Sequence, residues 1–138
     1  MNVAFFLKPK SEVFYLHDGM PLARALNEMR RSGYTSVPVI DREGKYVGAV
    51  SEGDFLGSLV QTDGKHLQLL SSEDAEKKNV REILRPERNP CARIDEPVEA
   101  LVSRTAGQNF VPIVDDRGVF IGIVTRRNVI RYFLDARR

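Results

Sequence analysis

The sequence predicts a mixed α/β (α+β) fold of two β-α-β-β-α repeats related by a pseudo-twofold, and three observations carry that prediction. The segment SVPVIDREGKYVGAVSEGDFL recurs as FVPIVDDRGVFIGIVTRRNVI. The landmarks keep one spacing: Pro38 and Pro112, Gly44 and Gly118, Gly48 and Gly122, Ser51 and Thr125, and Asp54 and Asn128 each stand 74 residues apart. Each copy also runs from an amphipathic helical stripe into two β-branched runs and a closing helix. The boundaries that follow are 1–60 for the first repeat, 61–79 for a linker and 80–138 for the second repeat. Duplication places the chemistry in clefts between the copies, where each contributes related but unequal side chains.

Val3 to Leu7 is a short apolar run compatible with either helix or strand, and Pro9 stops it. Val13 to Leu16 reads as a brief strand. From Pro21, a residue suited to the first helical turn, Leu22, Ala25, Leu26 and Met29 fall at i, i+3, i+4 and i+7, and Gly33 is a natural C-terminal stop. Val37 to Ile40 and Tyr46 to Val50, joined by Asp41-Arg42-Glu43-Gly44, read as a hairpin, and a helix follows from Ser51 to about Val60. The second copy repeats the order: Val80 to Leu84, Pro86, a strand near Cys91 to Ile94, a helix opened by Pro97, strands Val111 to Val114 and Val119 to Val124, and a last helix from Thr125. The linker is polar, with an apolar cluster at Leu67, Leu69 and Leu70, and is read as holding a short helical turn. Both closing helices carry one stripe, Phe55, Leu56, Leu59 and Val60 in the first and Val129, Ile130, Phe133 and Leu134 in the second. Such a stripe serves either a core or a surface for a second chain.

Composition bounds the function classes. With 138 residues, 42% hydrophobic and 29% charged, the chain suits one globular body rather than a disordered one. Its 21 Lys and Arg against 19 Asp and Glu give no push toward nucleic acid or an anionic membrane. The arginines near the C-terminus, Arg126, Arg127, Arg131, Arg137 and Arg138, read as a charged helix face, since no helix-turn-helix accompanies them. The N-terminal ten residues lack the apolar core of a signal peptide, and no stretch reaches the roughly 18 apolar residues that span a bilayer. A cytoplasmic protein is expected, with neither a membrane nor a nucleic-acid partner. His17, His66 and the single Cys91 have no metal-ligand spacing, and no Gly-rich loop precedes a lysine, so neither an enzyme nor a metal site is expected.

The ordered set Gly33-Tyr34-Thr35-Ser36-Val37-Pro38-Val39-Ile40-Asp41, Gly44 and Gly48-Ala49-Val50-Ser51-Glu52-Gly53-Asp54, matched by Phe110 to Asp115, Gly118 and Gly122 to Asn128, resembles the CBS domain. Two copies in tandem resemble a Bateman module. The resemblance implies a sensor that requires no cofactor and takes an adenine nucleotide, such as AMP, ADP, ATP or cyclic-di-AMP, as a regulatory ligand between the repeats. It also implies a homodimer and an unidentified effector protein. Carried over residue by residue, the family pattern of glycine, two apolar residues, Ser or Thr, two variable residues and Asp puts Ser51 with Asp54, and Thr125 with Asn128, against the ligand. Asn128 departs from the pattern and lacks the charge-assisted bond that Asp54 offers a ribose. Arg126 and Arg127 open the last helix, and Arg127 is the better candidate to grip a phosphate. The walls of the pockets are expected from Phe14, Tyr34, Thr35 and Val37 in one repeat and from Asn109 and Val111 in the other.

Two readings compete with ligand contact. Ser51-Glu52-Gly53-Asp54 is also a helix-capping pattern, and Thr125 can cap likewise. The module can also be structural, a protein-interaction unit with empty clefts and no nucleotide. Within the family, the GYTSVPVID segment and the Thr-Arg-Arg opening of the last helix resemble the small bacterial CBS proteins that sense cyclic-di-AMP. Glu12, where those sensors are expected to have a lysine, departs from them.

Overall fold

The computed structural model describes residues 2–62, 67–69 and 71–136; His66, Leu70, Arg137 and Arg138, which figure in the sequence reading, lie outside the described residues. The strands are β1 (Lys8–Pro9), β2 (Leu16–His17), β3 (Ser36–Ile40), β4 (Tyr46–Ser51), β5 (Val60–Thr62), β6 (Leu67–Leu69), β7 (Ala92–Arg93), β8 (Phe110–Val114) and β9 (Phe120–Thr125). The helices are α1 (Leu22–Ser32), α2 (Glu52–Leu59), α3 (Ser72–Lys77), α4 (Val98–Gly107) and α5 (Arg126–Ala136). Three-residue 3-10 turns sit at Val3–Phe5, Lys10–Glu12 and Val80–Glu82. The run from Val3, open to either state in sequence, is therefore a helical turn, and its counterpart at Val80 follows it.

The chain divides into two units. The first-repeat unit comprises Phe14–Arg42 and Val47–Arg88; the second-repeat unit comprises Met1–Val13, Glu43–Tyr46 and Asn89–Arg138. These units are not coextensive with the repeats, because the segment that leads each copy packs with the other copy's sheet.

In the first-repeat unit the sheet order is β2-β3-β4, with β2 parallel to β3 and α1 as the crossover between them. The stripe of α1 points inward as its spacing requires: Leu22, Ala25 and Met29 are buried, each large side chain stabilising the fold by roughly 1.5–3 kcal/mol. They pack with Leu16, Val37, Val39, Val50, Phe55 and Val80. The helix stops at Gly33, which adopts the left-handed conformation with φ 77°. The segment after α2 forms a hairpin of β5 and β6, followed by the short α3, where the sequence suggested only a turn of helix.

In the second-repeat unit the order is β1-β9-β8-β7, with β7 parallel to β8, and β8 and β1 both antiparallel to β9. Its core joins Val3, Phe6, Ala92, Leu101, Val111, Ile113, Val124 and Val129. Two glycines admit the exchanged leading segments. A Cβ on Gly122 would stand 2.2 Å from the Lys8 carbonyl oxygen, and one on Gly48 would stand 2.8 Å from that of Arg85. Both take a positive φ, 157° and 147°, so the sheet can be approached there only because these residues are glycine.

Candidate functional site

The start of each closing helix is built the same way. The Glu52 N–H donates to the Thr35 carbonyl at 3.0 Å, and the Arg126 N–H donates to the Asn109 carbonyl at 2.9 Å, which ties each helix to the residue ahead of its own β3- or β8-type strand. The Ser51 hydroxyl accepts from the Asp54 N–H at 3.3 Å, and the Thr125 hydroxyl accepts from the Asn128 N–H at 3.0 Å. Both hydroxyls are helix caps, as the capping pattern predicts. Capping uses the oxygen as an acceptor and leaves each hydroxyl proton to donate elsewhere.

Beyond the caps the two sites diverge. The Asp54 side chain is only 7% exposed, and both its oxygens are engaged. Oδ2 accepts from the Ser51 N–H at 2.9 Å, closing a reciprocal capping box, and from an Arg88 guanidinium nitrogen. Oδ1 accepts from the second Arg88 nitrogen and from Arg85 Nε, each at 3.4 Å. Burial raises the carboxyl's pKa, but the Ser51 N–H and the Arg88 guanidinium outweigh it and hold Asp54 below the usual carboxylate range. At the second site Thr125 and Asn128 are half-buried and Arg127 is exposed. Neither the Arg127 guanidinium nor the Asn128 amide makes a hydrogen bond or ion pair among the described residues. Arg126 is used internally: Nε donates to the Thr105 carbonyl at 2.7 Å and a terminal nitrogen to that of Ala106 at 3.4 Å, fastening α5 to the end of α4.

The expected walls are partly brought together. Phe14 and Tyr34 stack with ring centroids 6.4 Å apart, Phe14 half-buried against the core and Tyr34 exposed. Thr35 is exposed and offers its carbonyl to α2. Val37 and Val111 are buried in the two cores, so their side chains serve packing, and only their backbone could face a ligand. Asn109 is exposed and accepts from the Asn89 amide at 3.4 Å. Glu12 is exposed in the Lys10–Glu12 turn of the second-repeat unit. His17 and Cys91 are both exposed.

Sequence reasoning missed Arg85, Arg88 and Asn89. The two arginines stand in sequence between Leu84 and Cys91, at the start of the second repeat, and only the tertiary exchange brings them to Asp54. Asn89 is buried with φ 52°, its amide donating to the Phe110 carbonyl at 2.9 Å while its own carbonyl accepts from the Tyr46 hydroxyl at 2.8 Å. Burial, with Cys91 nearby, raises the pKa of that Tyr46 phenol, which stays protonated as the donor. Among the described residues no group of three or more His, Cys, Asp or Glu could hold a metal ion, and no helix is long and apolar enough to cross a membrane.

Comparison with known proteins gives a consistent set of matches. The CBS domain model matches residues 6–61 and 80–135. The chain is 31% identical over 118 residues to the A-adding tRNA nucleotidyltransferase of Aquifex aeolicus (strain VF5), which takes in 86% of this chain but only 13% of that enzyme. It is 26% identical over 130 residues to cyclic di-AMP receptor B of Bacillus subtilis (strain 168), covering 94% of this chain and 84% of the receptor. Among solved structures, the Listeria monocytogenes CbpB protein in complex with c-di-AMP superposes with a TM-score of 0.82 at 25% identity, covering 97% of this chain and 96% of that one.

Proposed function

We propose that this chain, which belongs to the CBS domain family and carries two copies of the domain, is a regulatory module that binds an adenine nucleotide and passes the signal to a separate protein without catalysing a reaction. The observation that carries the reading is the start of α5. There a capped helix N-terminus, whose dipole favours an anion, stands beside an exposed Arg127 guanidinium and a half-buried Asn128 amide, neither engaged among the described residues. Arginine can grip a phosphate bidentately, and the amide can donate to or accept from a ribose hydroxyl. Thr125, Arg127 and Asn128, with Asn109 and the Val111 backbone, are the contacts we assign. In the first repeat the corresponding candidates are Ser51 and Asp54, with Thr35, Tyr34, Phe14 and the Val37 backbone.

Cyclic-di-AMP is the first ligand to try, because two of the similar proteins are a cyclic di-AMP receptor and a protein solved with c-di-AMP, and both are matched over most of their length. AMP, ADP and ATP are the other members of the class. A thermal-shift series with these four nucleotides tests the reading. A ligand that binds only the folded chain raises the melting temperature increasingly with concentration. Arg127→Ala should remove most of that shift while leaving the melting temperature without nucleotide unchanged, since the side chain is exposed and makes no hydrogen bond or ion pair among the described residues. If no nucleotide moves the melting temperature at millimolar concentration, the structural, protein-binding module is the better account.

A further inference from the structure

The two candidate sites differ in one respect that composition and spacing do not reveal. In the second, the Arg127 guanidinium and the Asn128 side-chain amide make no hydrogen bond or ion pair among the described residues; in the first, the carboxylate expected to meet a ribose already has four donors. A ribose diol would present two hydroxyl donors to the two carboxylate oxygens. Those are the positions held by the paired terminal nitrogens of Arg88, with Arg85 Nε beside them. The guanidinium is charged and bidentate, the diol neutral, so the internal partner is the stronger one. Arg88 is also well placed to stay: its side chain is 35% exposed, and the residue that follows it, Asn89, is buried and held by hydrogen bonds at both its amide and its carbonyl.

We propose that Arg88 occupies Asp54 as an internal stand-in for the ribose, so that the first-repeat site is closed and each chain holds a single nucleotide, at Thr125–Asn128. This rests on the nucleotide-binding reading above and adds to it the residue that sets how many nucleotides are bound. It makes Arg88 a specificity determinant rather than a contact.

The experiment is isothermal titration with cyclic-di-AMP and with AMP, on the full chain and on Arg88→Gln, Arg88→Lys and the double variant Arg88→Gln with Asp54→Ala. Circular dichroism melting first establishes that each is folded. The wild-type chain should bind one equivalent. Arg88→Gln takes the bidentate partner off the carboxylate, leaving only the Ser51 N–H and Arg85 Nε on it, and should bind a second, raising the stoichiometry from one to two. The double variant, which removes the acid as well, should return to one. Should Arg88→Gln fail to fold once Asp54 loses its bidentate partner, Arg88→Lys gives the same reading, because an ammonium keeps the charge but cannot hold both oxygens as a fork. Two equivalents on the wild-type chain, or one on a folded Arg88 variant, would overturn the proposal while leaving nucleotide binding intact. A fall in wild-type-site affinity in Arg88→Gln would overturn it too, showing that Arg88 itself touches the ligand. No binding of either probe to any folded form would remove the nucleotide reading and the proposal together.

Discussion

Asp54 illustrates why a motif residue cannot be read without its neighbours. The same carboxylate closes a helix cap, pairs with two arginines and stands where the family pattern expects a ligand contact. Its ionisation is linked to folding. Because its folded-state pKa is lowered, the unfolded chain binds the proton more readily, so stability rises with pH across that interval. The contribution is fully present above the unfolded value of about 4 and is lost as pH falls through the folded value. Asp115, half-buried in the turn between β8 and β9, is lowered too: desolvation raises its pKa, but the Arg117 side chain and the Val119 and Arg117 N–H groups outweigh it. Urea unfolding of the wild-type chain and of Asp54→Asn between pH 6 and pH 3 separates the two. Both proteins should lose stability below about pH 4, the wild type more steeply, and the difference between the curves belongs to Asp54. Parallel curves would show that the Ser51 N–H and Arg88 do not hold the carboxyl below its ordinary range.

At the scale of elements, the exchange of leading segments depends on two glycines, and it gives a direct test. Gly122→Ala would drive a methyl to 2.2 Å from the Lys8 carbonyl and into the Leu7 side chain, at a φ that L-residues rarely adopt. Overpacking of this kind costs about 1–3 kcal/mol, enough to lower the melting temperature by several degrees. Gly57→Ala, inside α2 with nothing within 4 Å of the added carbon, should be neutral or stabilising by up to about 1 kcal/mol. Equal effects of the two would mean that β1 does not lie on Gly122 in solution. The contrast also marks what was legible in the sequence. Helices α1 and α2 and the strands of both repeat hairpins follow from local periodicity and from Pro21 and Gly33 and appear within a residue or two of the expected bounds, and α4 and α5 begin within a residue of the expected Pro97 and Thr125. The partner of each leading segment does not follow, since Val3 to Pro9 and Val80 to Pro86 share their Val, Leu and Pro at matching places and either could pair with either sheet. Arg85 and Arg88 were hidden for that reason. The β5–β6 hairpin was hidden by the polarity of its surroundings, although Asp63-Gly64 is a turn signature in sequence. At the candidate sites, the cap hydroxyls and Asp54 were legible because their roles are set within one helical turn. Val37 and Val111, marked as pocket walls, turn their side chains into the cores because a β-strand alternates its faces.

At the scale of the whole molecule, the closing-helix stripes resolve into two parts. Phe55 and Val129 are core, whereas Leu56, Ile130, Phe133 and Leu134 are 64%, 51%, 51% and 61% exposed. Each unit thus carries an apolar groove between its own pair of helices: one of about 470 Å³ between α1 and α2, bounded by Leu26, Met29, Tyr34 and Leu56, and one of about 610 Å³ between α4 and α5, bounded by Val102, Ala106, Ile130 and Phe133. Exposed apolar surface that recurs at the same position in both repeats is not the scatter of single residues found on monomers. A second copy of the chain is the partner that would bring two such faces at once, and closed twofold dimers are the commonest assembly. Sedimentation velocity should therefore give twice the monomer mass for the wild-type chain, and Leu56→Glu with Phe133→Glu should reduce it to the monomer, because a carboxylate buried in an apolar interface has no partner. Leu56 is 64% exposed, and Phe133 is 51% exposed with one edge-on ring contact to Tyr132, so the variant's melting temperature, measured in dilute solution where both proteins are monomeric, should stay close to the wild type. A wild-type chain that stays monomeric at high micromolar concentration would assign the grooves to a different protein.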